Sequence, residues 1–108
     1  MKIEGVYESK NSIYMCVELL EGGQLYEKLQ MRYKFSSQEV RTIMKSILLG
    51  LESLHELNIM HRDIKPENIL FRDSHSDECV IADFGLAENS CSDSLMYVRC
   101  GTPGYVAP

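Results

Sequence analysis

No run of apolar residues in this chain of 108 is long enough to cross a bilayer, and Met1 is followed by polar and charged residues rather than by a signal-peptide core. A soluble, cytoplasmic protein is the expectation. Clustered positive charge is also missing. Lys and Arg total 11 against 16 Asp and Glu, for a net charge of -5 and a pI near 5.1. A nucleic-acid-binding face would gather Lys and Arg together, so no nucleic-acid partner is expected. Cys16, Cys79, Cys91 and Cys100 lack CxxC spacing and have no paired histidines beside them, which excludes the usual zinc arrangements. They read as free thiols that mostly act as small apolar residues. No basic amphipathic helix is present.

What is present suits one small domain: 44% hydrophobic and 25% charged residues. The β-branched and aromatic segments Ile3–Glu8 and Ile13–Val17, separated by Ser9-Lys10-Asn11-Ser12, predict a β-hairpin. A connector with Gly22 and Gly23 follows, then a short helix over 24–30. Ser36 and Glu39 predict a capping box, the Ser side chain bonding a backbone amide three residues on and the Glu reaching back. From there Val40, Ile43, Met44, Ile47, Leu48, Leu51, Leu54 and Leu57 recur at steps of three and four, one face of a helix. That helix, over about 37–57, would be roughly 30 Å long. Its stripe is read as core packing, and Asn58 as its stop. The segments Ile69-Leu70-Phe71 and Val80-Ile81-Ala82 flank a polar, acidic stretch and predict a second, small hairpin. Residues 87–99 are rich in Ser, Asp and Asn and predict no regular structure.

Chemistry concentrates in His61-Arg62-Asp63-Ile64-Lys65-Pro66-Glu67-Asn68, followed by Asp83-Phe84-Gly85 and by Gly101-Thr102-Pro103-Gly104-Tyr105-Val106-Ala107-Pro108. Asp and Asn also favour turns for reasons of local hydrogen bonding, so each alone would be weak. Together, in order and at these separations, they resemble the catalytic loop, metal-binding loop and activation-segment end of a eukaryotic protein kinase. The resemblance implies an α+β, two-lobed kinase fold of which this is the middle: N-lobe strands over 1–17, a hinge over 18–23, and the helical C-lobe from 24 to 108.

It also implies roles. Asp63 would accept the proton of a substrate hydroxyl, Lys65 would contact the γ-phosphate of ATP, and Asn68 and Asp83 would each hold Mg2+, a hard cation that prefers oxygen ligands. Asp63, Lys65 and Asn68 are thus the catalytic set. Lys65 at its position resembles the serine/threonine-directed members, so protein Ser/Thr substrates are expected. His61 is expected to be a packing and hydrogen-bonding residue. The run from Tyr14 to Leu25 is similar to the fifth strand and hinge, with Val17 as gatekeeper, backbone of Glu18 and Leu20 at the adenine edge, and Gln24 near the ribose; a plain strand-to-helix loop would look alike. Leu70 would lie beneath the adenine, although any buried hairpin offers such a leucine. Arg62 would bind an activation-loop phosphate, yet the usual acceptor slot falls on Val98, which has no hydroxyl; Ser90, Ser92, Ser94 and Tyr97 remain. Thr102 would help position substrate and Asp63.

The closing run, the hinge glycines and the extended hairpin turn look most like the calcium/calmodulin-dependent kinase group; no calmodulin-target helix is present, so calmodulin could act only through regions outside this sequence. No GxGxxG loop, no VAIK-like strand with its ATP-pairing Lys and no helix with the partner Glu precede Ile3, and the chain stops one residue before the Glu of an APE motif. The isolated polypeptide is therefore expected to be poorly active or inactive. A serine/threonine kinase is favoured over a kinase-derived binding module without catalysis, in which one of Asp63, Lys65, Asn68 and Asp83 is commonly lost. A metal-dependent phosphohydrolase would explain Asp63 and Asp83 but not the hinge-like run.

Overall fold

The computed structural model describes residues 1–31, 34–91 and 99–106. Its first element is the expected hairpin: β1 (Ile3–Glu8) pairs antiparallel with β2 (Ile13–Val17), with a register shift between Ile3 and Gly5. The Ser9 amide and hydroxyl both donate to the Ser12 carbonyl, closing the turn at 2.8 and 3.2 Å. Both faces of this ribbon are largely open. Residues 18–24 then lead into α1 (Leu25–Met31), one residue later than expected because Gln24 forms a bridge to Leu70 instead of a helical turn.

α2 (Ser37–Glu56) starts where the capping box requires. Glu39 N donates to Ser36 Oγ at 3.2 Å, and Ser36 N donates to Glu39 Oε2 at 2.7 Å. The helix ends at Leu57, and Asn58 follows in the left-handed region at φ 57°, a conformation that Asn tolerates better than most residues. The expected apolar stripe divides. Ile43 is buried and Ile47, Leu51 and Leu54 pack beside it, whereas Val40, Met44, Leu48 and Leu57 are exposed, Leu57 to 66%. This corrects the reading of the whole stripe as core, and the reason is width. Among the described residues a narrow two-stranded sheet packs on α2 and covers one side of the apolar arc.

That sheet is β4 (Ile69–Phe71) paired antiparallel with β5 (Cys79–Ile81). Ile43, Ile69, Phe71, Cys79 and Ile81 form the buried core, with Leu25, Phe35 and Ile64 against it. Gly50 lets α2 approach, since a Cβ there would sit 3.1 Å from Ile81 Cδ1. Lys28 Nζ lies 3.4 Å from the centre of the fully buried Phe71 ring, within range of a cation–π contact. The exposed turn of the hairpin is built by Asp73 Oδ1, which accepts from the His75 and Ser76 amides, both at 2.8 Å. His75 has no further part in it.

Two short elements were not anticipated. β3 (Ile59–Met60) pairs antiparallel with β6 (Glu88–Asn89), so the stretch expected to be irregular begins as a strand. Strands of two residues carry no alternation for a sequence pattern to reveal. The rest of the loop readings, at Ser92, Ser94, Tyr97 and Val98, lie outside the described residues, as do Ala107 and Pro108.

The exposed surface is 8310 Å², against about 6100 Å² for a compact monomer of this mass. The Cα radius of gyration is 15.6 Å, against about 13 Å. Large apolar side chains are among the uncovered ones, Ile13, Leu19 and Met31 most of all. Among the described residues no helix is long and apolar enough to cross a membrane.

One contact is tight enough to test. A Cβ on Gly22 would come within 2.4 Å of Phe71 Cβ and 2.7 Å of Phe71 O, where Phe71 N also donates to Gly23 O at 2.9 Å. Gly22→Ala is expected to destabilise the fold by about 1–3 kcal/mol, as overpacking does. Urea unfolding checks this; an unchanged midpoint would show that the connector does not cross β4 so closely.

Candidate active site

β3 delivers the loop that follows it. His61 is 3% exposed, with Nε2 3.0 Å from the Ala82 carbonyl. A carbonyl can only accept, so Nε2 carries the hydrogen and Nδ1 is left to accept from the Asp63 amide, at 3.3 Å. The ring also meets Phe84 with centroids 5.0 Å apart. His61 is thus a structural link between loop and hairpin, as expected.

Asp63, 8% exposed, gathers three donors. Thr102 Oγ1 donates to Oδ1 at 2.6 Å, Lys65 Nζ meets Oδ2 at 2.8 Å, and Asn68 Nδ2 reaches Oδ2 at 3.1 Å and the Asp63 carbonyl at 2.9 Å. Lys65 Nζ also donates to Thr102 Oγ1 at 2.7 Å, closing a triangle. These partners hold the Asp63 carboxyl at about 2, below its ordinary 3.8; the Lys65 ammonium contributes most and the Thr102 hydroxyl next, with burial opposing. Lys65 is raised above its ordinary value of 10.5, chiefly by the hydrogen bond to Asp63. The signs follow. A depressed carboxyl stabilises the fold fully above its unfolded value of 3.8 and loses that contribution as pH falls toward 2. A raised ammonium stabilises it fully below 10.5 and loses that contribution above.

Pro66–Asn68 form one turn of 3-10 helix that leads into β4. The Ala82 amide donates to the Asn68 carbonyl at 2.8 Å, so the hairpin sets Asp83 beside Asn68. Asp83 is exposed, has φ 60°, and accepts from the Gly85 amide at Oδ1, 3.1 Å, leaving Oδ2 open. Both Asn68 amide hydrogens go to Asp63, which leaves its Oδ1 as an acceptor. Among the described residues no cluster of three His, Cys, Asp or Glu could hold a metal. One carboxylate and one amide oxygen nonetheless fit Mg2+, which keeps most of its shell as water and phosphate oxygens.

The connector residues assemble on the other side. Glu18 N donates to Lys2 O at 2.9 Å, leaving the Glu18 carbonyl, and neither backbone group of Leu20 has a partner among the described residues. Gln24 and Leu70 are brought together by their bridge. Nothing described links Glu18 or Leu20 directly to the Asp63 cluster.

Three features escaped sequence reasoning. Gly101, at φ 104°, lies where a Cβ would be 2.9 Å from the Arg62 carbonyl, so it lets the Thr102 segment reach the loop. Glu67 Oε2 is buried without a hydrogen-bond partner among the described residues. Arg62 Nη2 is 3.7 Å from Glu88 Oε2, while Arg62 Nε donates to the Leu86 carbonyl at 2.6 Å. An acid three places beyond Asp83-Phe84-Gly85 was the only sign of that pair.

The chain is similar in sequence to known proteins. The family model described as "Protein kinase domain" matches residues 1–108. A probable myosin light chain kinase of Dictyostelium discoideum is 38% identical over 108 residues, 100% of this chain and 34% of that protein. Serine/threonine-protein kinase H1 of Homo sapiens is 39% identical over 106 residues, 95% of this chain and 25% of that protein. The chain therefore spans between a quarter and about a third of the length of these relatives.

Replacing Lys65 by Met removes the largest influence on Asp63, whose carboxyl is expected to move from about 2 up toward 3.8. Thr102→Val should raise it less. Carbon-detected carboxyl titration reads both, and a Lys65→Met chain still titrating near 2 would contradict the triangle.

Proposed function

The chain belongs to the protein kinase family, and on that premise we propose that it carries the catalytic centre of a serine/threonine protein kinase, moving the γ-phosphate of ATP to Ser or Thr hydroxyls of protein substrates. Its fold is a partial protein-kinase fold of α+β type. We assign residues 1–17 to the N-lobe sheet, 18–23 to the hinge and 24–108 to the C-lobe. The finer likeness to the calcium/calmodulin-dependent group belongs to the same reading. The observation that carries it is the buried Asp63 carboxylate, held by Lys65, Thr102 and Asn68 yet left with acceptor capacity.

A carboxylate offers about four lone-pair sites, and three are taken by those donors. The remaining one accepts the hydrogen of a substrate hydroxyl and aims its oxygen. A depressed carboxyl is a weak base, so Asp63 orients first and receives the proton only as the new bond to phosphorus forms. Lys65 has three N–H donors. Two are engaged by Asp63 and Thr102, which leaves one for a γ-phosphate oxygen. The Glu18 carbonyl and the Leu20 amide read the adenine edge, Gln24 lies by the ribose, and Leu70 supports the ring from below. Asn68 Oδ1 and the Asp83 carboxylate would hold Mg2+, which would supply positive charge to neutralise the phosphates. Location in the cytoplasm accords with ATP as substrate and with four free thiols.

Asp63→Asn is expected to lower kcat on a Ser/Thr peptide by about a thousandfold, within the range for losing an acid–base group, while ATP binding changes little. Asp83→Ala should abolish Mg2+-dependent ATP binding. Peptide phosphorylation and calorimetry measure these in the longest form the source produces; the 108-residue chain alone, with its apolar faces open, is expected to be weakly active or inactive. An Asp63→Asn enzyme with a tenth of normal activity would overturn the assignment.

A further inference from the structure

We propose that Glu88 is a positioning residue for the reaction: its carboxylate clamps Arg62, and through it the backbone that presents Asp63, so that the loop is set without a phosphate on the segment that follows. The proposal rests on the kinase reading above. Arg62 immediately precedes Asp63 and sits at φ 66°, a left-handed conformation that costs a non-glycine residue energy and must be held by its surroundings. Two anchors hold it. The guanidinium donates to the Leu86 carbonyl through Nε at 2.6 Å, and Nη2 lies 3.7 Å from Glu88 Oε2. Both side chains are 21% exposed, so the charge pair is largely sheltered from water and salt.

Glu88 is itself fixed. It pairs with Met60 across β3 and β6, Asn89 pairs with Ile59, and the Ser90 amide donates to the Asn58 carbonyl at 2.7 Å. The strand therefore grips the backbone just before His61, and Glu88 grips the side chain just after it. The Gly101 approach to the Arg62 carbonyl adds a third restraint on the same peptide. An arginine already neutralised by an internal carboxylate does not need an added anion. A phosphate arriving there would face the Glu88 charge, and like charges repel. The position that usually carries the phosphate holds Val98, which has no hydroxyl.

The test uses the longest form the source produces, before and after treatment with a broad phosphatase, comparing wild type with Glu88→Gln and Glu88→Asp. Peptide phosphorylation by the wild type should change less than twofold on dephosphorylation. Glu88→Gln should lower kcat about tenfold with KM for ATP within twofold, and Glu88→Asp should recover part of the loss; a general folding defect would not separate kcat from KM or be rescued by the shorter acid. A tenfold fall of the wild type on dephosphorylation, or full activity of Glu88→Gln, overturns the proposal. If no form phosphorylates peptide, the kinase reading fails, and amide exchange over residues 62–65 decides the clamp by itself. Faster exchange in Glu88→Gln, unaffected by phosphatase in the wild type, supports it; unchanged exchange refutes it.

Discussion

One carboxylate joins the parts of this molecule that are distant in sequence. Asp63 accepts from Thr102, 39 residues away, and from Lys65 and Asn68 in its own loop. Remove it and the ammonium of Lys65 is left sheltered without its counter-charge, while the Thr102 segment loses its tie to the loop. A sheltered charge without a partner is costly, which is why the three groups are placed together or not at all. The depressed carboxyl and the raised ammonium are two expressions of that constraint.

The same constraint shapes the supports. His61 connects loop to hairpin through one tautomer, donating to Ala82 and accepting from Asp63, so the Asp63 amide and the residue before Asp83 are tied to a single ring. The hairpin is short, but Phe71 and Ile69 at its centre are the most completely buried side chains described. Its stiffness is what places Asn68 at one end and Asp83 at the other. Elsewhere the molecule is open: the β1–β2 ribbon and one side of α2 expose large apolar residues.

Local signals were legible and non-local pairings were not. The capping box at Ser36 and Glu39, the first hairpin with its four-residue turn, and the Asn58 stop each depend on residues a few places apart, and each formed as the residues predict. The helical stripe was visible, but how much of it is covered depends on the width of the partner sheet, which periodicity does not contain. The pairing of β3 with β6 and the ion pair of Arg62 with Glu88 join residues 26 to 30 apart and leave no periodic trace. The loop chemistry, with Thr102 beside Asp63, could be recognised because its residue types and order are so restrictive; the bond from Lys65 to Thr102 emerges only from the fold.

The most direct measurement is paramagnetic relaxation with Mn2+ in place of Mg2+, in the presence of ATP, on isotopically labelled protein. If the loop and hairpin form one metal-and-phosphate site, the Asn68 side-chain amide and the Asp83 and Gly85 backbone signals broaden first, while the acidic turn over 73–78 stays sharp. Broadening centred on that turn, with Asn68 unaffected, would mean that the metal is drawn by surface charge and that the proposed catalytic centre does not assemble.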